Sequence, residues 1–135
     1  MNHNIGPYIV DFNSIIYDYA FTIIGEPASK SNARRLIKIK KKFRVIKSKK
    51  AIDYVGEFKK QLKDQHLELM IEGRVCLFVK VWYASWRPDL DIELIKDAMQ
   101  GIIYRNDRQV VEQYACRYLD KDNPRIEVKI VELDK

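Results

Sequence analysis

The chain has 135 residues, a net charge of +6, and 47% apolar against 33% charged side chains. That balance excludes a disordered polymer and suits one compact domain with a real core. No apolar run approaches the ~20 residues of a membrane span, and the opening "MNHNIGPYIVDFNSIIYDYAF" lacks a basic leader region and carries Asp11 and Asp18, against a signal peptide.

In chain order, the first clear element is "YAFTIIGEP", a strand ending at Pro27, with the residues before it an extra strand or arm. "ASKSNARR" follows as a polar loop. "LIKIKKKFRVIK" partly alternates apolar and basic residues (Ile37, Ile39, then Phe43, Val45), which predicts a basic hairpin with one face covered. Ala51, Tyr54, Val55, Phe58 and Leu62 then recur at helical spacing, with Lys50, Asp53, Glu57, Lys60 and Lys63 on the other face. "RVCLFVKVWYA" is apolar at both alternating sets of positions, the pattern of a central strand covered on both sides. It runs into "SWRPDLD", where Pro88 ends the strand or starts a turn.

From Asp91 the period becomes helical: Ile92, Ile95 and Met99 share one stripe and Glu93, Lys96, Asp97 and Gln100 another. Asp91 is the expected N-cap and Gly101 the residue just past the C-cap. "QVVEQYACRYL" and "RIEVKIVEL" are two further strands joined by the turn "DKDNP". The order β–hairpin–α–β–α–β–β predicts an α/β (α+β) fold: a mixed sheet with two main helices packed on it.

Charge is unevenly spread. From Lys30 to Lys50 there are eleven Lys or Arg and no acid, while the rest of the chain is net acidic. Such a block points to a polyanion, nucleic acid or an anionic membrane, rather than to an ordinary solvated hairpin. Cys76 and Cys116 lie in apolar strands, and His3 and His66 are isolated, so the cysteines read as reduced core thiols and not as a zinc site.

Against this basic background, Asp89 and Asp91 stand two residues apart at the end of the central strand, where open sheets tend to place sites. Asp107 follows just after the helix that Asp91 introduces, and the helix and short loop could return it beside the pair. An Asp before a helix is ordinarily a cap, and an Asp in "RNDR" is ordinarily a turn residue. Together they make a set of hard oxygen ligands suited to Mg²⁺ or Mn²⁺. Such an ion can activate a water and steady a leaving oxygen, with a nearby lysine balancing phosphate charge. Carboxylates beside a basic DNA-facing segment therefore predict a metal-dependent nuclease. No glycine-rich phosphate loop, serine elbow or supported Cys/His pair competes.

"PASKSNARR", a central strand running into "RPDLD", and then "IKDAMQGIIYRNDRQV" in this order resemble the RusA-type Holliday junction resolvases of phages and prophages. The resemblance covers Tyr19 to Leu133. It divides the chain into an N-terminal extension, 1–18, and an endonuclease domain, 19–135. It implies a small homodimeric endonuclease that binds four-way DNA junctions and, with Mg²⁺, nicks two opposed strands symmetrically in recombination and repair. The setting it implies is the cytoplasm of a bacterial or phage-infected cell, with no membrane partner.

By the same resemblance Asp89, Asp91 and Asp107 are the catalytic metal ligands, and Pro27, Ser29 or Ser31, and Asn32 flank the site and the DNA. This sequence departs from the family pattern after the second acid, with Ile92 for the usual Asn and Ile95 where a lysine is usual. Lys96, one position later, is the expected catalytic lysine, with Arg87 and Glu93 as rivals near the site. Lys30, Asn32, Arg34, Arg35, Lys38, Lys40, Lys41 and Lys42 are the expected DNA contacts. The alternatives are a catalytically silent DNA-binding module and a metal nuclease preferring flaps or forks.

Overall fold

In a computed structural model, residues 12–28, 34–39 and 42–135 are described, with backbone alone for 34–39 and 42–45. The strands are β1 (Tyr19–Ile24), β2 (Arg34–Ile39), β3 (Lys42–Lys47), β4 (Val75–Tyr83), β5 (Val110–Leu119) and β6 (Arg125–Glu132). The helices are α1 (Lys49–Asp64) and α2 (Glu93–Met99). This is the expected α+β architecture. A mixed sheet runs β1-β6-β4-β5, and β2 and β3 form a separate antiparallel hairpin.

The apolar run in β4 becomes the sheet's interior because both its edges are bonded. It is parallel to β5, from Val75 opposite Val110 to Tyr83 opposite Leu119, and antiparallel to β6. The short link between β5 and β6 would ordinarily make a hairpin. Here the two strands flank β4, and residues 120–124 step across its end. The Asp120 amide donates to the Tyr83 carbonyl at 2.8 Å and the Gly25 amide to the Pro124 carbonyl at 2.9 Å. Arg125 holds the link by pairing with Asp120 at 2.9 Å.

Val75, Leu77, Val79, Val81 and Tyr83 of β4 are all buried, with Ile126, Val128 and Ile130 of β6 and Phe21 and Ile23 of β1. Onto this face α1 lays Ala51, Tyr54, Phe58 and Leu62, and α2 lays Leu94, Ile95, Ala98 and Met99. The periodic apolar stripe in α1 is thus the stripe it buries. Ser48 begins α1 by accepting the Ala51 amide at 3.2 Å.

Among the described residues the helices cover one side of β4, and the other side, also expected to be covered, is partly covered by aromatic rings. On the other face Phe78 stacks on Tyr114 with ring centres 5.0 Å apart, and Trp82 on Tyr118 at 5.1 Å. Phe78, Trp82 and Lys80 there are half-buried. The described part of the N-terminal arm also lies there. Phe12 is buried and meets Phe78 edge-on at 5.8 Å, and its carbonyl accepts from Lys129 Nζ at 2.9 Å. These rings explain an apolar code without a second helix layer.

Residues after β6 return to the start of β4. Asp134 takes the Arg74 guanidinium at 2.6 Å and the Arg74 amide at 2.8 Å. Gly73 permits this approach, since a Cβ there would lie 2.8 Å from Asp134 Cβ. Hydrogen bonds from Arg74 hold the Asp134 carboxyl down at about 2, from an ordinary 3.8. A depressed carboxyl stabilises the fold above its unfolded pKa, and that contribution is lost as pH falls through the folded value. Asp134→Asn is therefore expected to lower the unfolding midpoint above pH 3.8, with the gap to the parent closing as pH approaches 2. Urea titrations at stepped pH measure this, and a gap independent of pH would rule the ion pair out as its source.

Candidate active site

The acids at the end of β4 are positioned by the strand's last residue. Tyr83 is 1% exposed, and its Oη donates to the Asp89 carbonyl at 3.2 Å. Burial raises the Tyr83 phenol pKa, only partly offset by its hydrogen bond with the Asp91 backbone and by nearby Arg117. The phenol therefore stays protonated and remains a donor. The chain bends over this ring, so Asp89 and Asp91 emerge from a backbone fixed at the core.

Asp89 is exposed and its carboxylate has no partner among the described residues. Asp91 is half-buried, and its Oδ1 accepts the Glu93 amide at 3.1 Å. Its capping role differs slightly from expectation. The cap position of α2 falls on Ile92, which has no side-chain cap bond, and Asp91 serves the helix from one residue earlier. Gly101 does sit just past the C-cap Gln100, at φ +86°.

A further acid joins this end of the sheet. Glu26 Oε2 accepts the Ala84 amide at 2.6 Å, and Glu26 and Asp91 both act electrostatically on Tyr83. Glu26 was not among the residues expected at the site. The available signal was its place directly before Pro27, at the head of the polar loop already singled out.

Asp107 begins a tight 3₁₀ turn, Asp107–Gln109. Asn106 Oδ1 accepts the Arg108 amide at 2.9 Å, and the Asp107 amide donates to Gln100 Oε1 at 3.1 Å. Gln109 locks the turn. Its Oε1 accepts the Arg105 and Asn106 amides, each at 2.9 Å, and its Nε2 donates to the Ile71 and Gly73 carbonyls at 2.7 and 2.8 Å. Burial raises the Tyr104 phenol pKa, and the nearby charges of Asp107, Asp97 and Glu93 raise it further. Tyr104 is buried, and its Oη donates to the Lys96 carbonyl at 2.8 Å.

The backbones of Asp89 and Asp91 thus both meet the Tyr83 phenol, and Asp107 is held on its own turn. Among the described residues, no three His, Cys, Asp or Glu side chains are grouped so as to hold a metal ion. Lys96 is paired with Glu93 Oε1 at 3.1 Å, and its side chain is 14% exposed. Arg87 is exposed. The Asp89–Asp91 pair still matches a hard divalent ion in kind, because Mg²⁺ commonly takes one or two carboxylates and completes its shell with water and phosphate.

Of the expected DNA contacts, Arg34, Arg35 and Lys38 belong to β2 and Lys42 to β3. Lys30, Asn32, Lys40 and Lys41 lie outside the described residues, as do Ser29 and Ser31. Pro27 is buried. The hairpin is tied to the acidic region through Lys47, which pairs with Asp97 of α2 at 3.3 Å. No helix among the described residues is long and apolar enough to cross a membrane.

An α+β sheet with carboxylates after its central strand and a basic hairpin in the chain is in keeping with a nucleic-acid hydrolase. The profile of the family described as Endodeoxyribonuclease RusA matches residues 25–131, and the chain belongs to that family. Membership makes it an endodeoxyribonuclease, a phosphodiester hydrolase of the Holliday junction resolvase kind, with branched DNA as substrate. Comparison with curated proteins finds no match.

Gln109→Ala removes both halves of the lock on the Asp107 turn. A loss of about 1–3 kcal/mol is expected, from several modest hydrogen bonds and the buried carbonyls left behind. Urea unfolding gives the stability, and amide exchange at 105–109 should quicken in parallel. An unchanged midpoint and exchange pattern would show that the turn holds without Gln109.

Proposed function

We propose that the chain is a Mg²⁺-dependent, structure-selective endonuclease. It resolves Holliday junctions by paired symmetric nicks, as a homodimer, in recombination and repair within the cytoplasm of a bacterial or phage-infected cell. The observation that carries the reading is the seat of Asp89 and Asp91 over Tyr83. Two carboxylates on a fixed backbone can share one divalent ion, with Asp107 the third acid of the reading. When bound, Mg²⁺ (or Mn²⁺) supplies an activated water and neutralises phosphate charge. The chain's own groups do the rest. Tyr83 holds the backbone of the pair, Glu93 holds Lys96 against α2, and the basic residues of β2 and β3 carry the DNA backbone.

One chain offers one acid pair, and a junction needs two opposed cuts, so a two-fold dimer supplies the second site. The edge strand β5 suits this role, with exposed Val111, Tyr114, Tyr118 and Leu119 along it.

Asp91→Asn tests the metal role and the dimer together. Asparagine keeps the shape and can still accept the Glu93 amide, so the fold should survive. Cutting of a labelled four-way junction in Mg²⁺ should drop by orders of magnitude, while junction binding persists or tightens as a negative charge leaves the phosphate's neighbourhood. Parent mixed with the variant should yield junctions nicked on one strand. Near-parental cutting would remove Asp91 from the site. Paired cuts alone from the mixture would contradict one site per subunit, and preferential cutting of flaps would shift the substrate.

The basic hairpin has its own signature. Replacing Lys40, Lys41 and Lys42 with alanine should weaken binding to every DNA shape. The slope of log affinity against log salt should flatten by roughly 2–3, because each phosphate no longer neutralised by a lysine takes away about 0.9. An unchanged slope would place the DNA surface elsewhere.

A further inference from the structure

The bend after β4 carries an aromatic ring that the fold does not use for packing. Trp86 is 62% exposed and stands three residues before Asp89. The Arg117 guanidinium lies over its ring, 5.2 Å from the ring centre. The same guanidinium lies 5.3 Å from the Tyr83 ring centre, and Arg117 Nη2 donates to the Trp86 carbonyl at 3.0 Å. Tyr83, Arg117 and Trp86 therefore stack in layers from the core to the solvent. Arg117 gives up hydrogen bonding at Nε, which is buried without a partner, to sit between the rings.

An exposed indole fixed from beneath is prepared for a flat ligand. Its backbone is pinned through the carbonyl, so little freedom remains to be lost when a ligand arrives. The nearby cations, Arg117 and exposed Arg87, favour a ligand joined to an anion. A nucleobase on its phosphodiester meets both requirements. Inside a duplex both base faces are covered by neighbours, whereas a base at a branch point can present one. We propose that Trp86 is a stacking platform for a nucleobase unpaired or unstacked at the branch point, which sets the adjoining phosphodiester at Asp89 and Asp91. The proposal rests on the reading of branched DNA as substrate and adds the residue that distinguishes a branch from a plain duplex.

The test measures binding without divalent cation, so that nothing is cut, on a four-way junction and a linear duplex of the same sequence. The full chain is compared with Trp86→Ala, Trp86→Leu and Trp86→Phe, with unfolding midpoints taken alongside. Alanine and leucine should each weaken junction binding roughly 5- to 100-fold, the scale of one missing base–aromatic stack. Duplex affinity should stay within about twofold, and phenylalanine should keep most of the junction affinity. Parental junction binding by Trp86→Ala would overturn the proposal. So would equal loss on junction and duplex, or rescue by leucine, which has apolar bulk but no ring face. A parent that fails to nick the junction in Mg²⁺ would sink the nuclease reading alone, because the selective binding loss is measured without cutting.

Discussion

The buried phenol of Tyr83 is the point from which the rest of the site is set. It closes β4, a strand bonded on one side to β5 and on the other to β6, so its position is fixed by the sheet rather than by a loop. Three segments then converge on that end. The 120–124 link caps it through the Asp120 amide, Glu26 reaches across from the end of β1 to Ala84, and the bend to Asp89 returns onto Tyr83 Oη. Burial keeps the phenol protonated, so the bond to the Asp89 carbonyl holds across the neutral range. Precision at a pair of acids two residues apart comes from this anchor and not from α2, which is only seven residues long and lacks a side-chain cap bond at its cap residue.

Electrostatics divides the labour. Asp91 is steadied by a backbone amide, while Asp89 is exposed with no partner among the described residues. A carboxylate left in water at the end of a rigid strand retains its full capacity to accept a cation, and little is lost in desolvating it beforehand. Lys96, by contrast, is shielded and already paired with Glu93, so its charge is balanced within α2. The positive charge proposed to meet DNA belongs instead to the strands of a separate hairpin. The acid pair thus follows the end of β4, while the densest run of cations belongs to a hairpin outside the four-stranded sheet.

Local pattern made much of this legible. Unbroken apolarity marked β4, a helical stripe marked α1, and the partly alternating basic run marked the hairpin, because each follows from the period of its own element. The nearness of Asp89 to Asp91 is legible because the two are close in sequence. What could not be read depended on interactions across the chain. The link "DKDNP" looks like a hairpin turn, yet β5 and β6 go to opposite sides of β4, a choice made by the sheet as a whole. The second face of β4 reads as covered because Phe78 and Trp82 are apolar, but that the rings of Tyr114 and Tyr118 lie against them depends on the pairing with the edge strand. Glu26 and Gln109 were invisible for the same reason. Glu26 acts on a residue 58 positions away, and Gln109 on carbonyls 36 and 38 positions away.

The relation between hairpin and acids follows from how weakly one is fastened to the other. A two-stranded ribbon is marginal on its own and takes its stability from what it packs against. Here β3 leads into α1 through Ser48, and Lys47 reaches Asp97 of α2 at 3.3 Å, with both side chains substantially exposed. An exposed ion pair of this kind contributes ~0–1 kcal/mol. It can bias the hairpin toward α2 without locking it there. The acids, rooted through Tyr83, have no such freedom. On the proposed reading, a DNA backbone gripped by the hairpin is adjusted against a pair of carboxylates anchored through Tyr83. On that same reading, a substrate whose arms leave a branch point at several angles would have its variation absorbed where phosphate interactions are many and individually weak, and its cutting position set where the backbone is fixed.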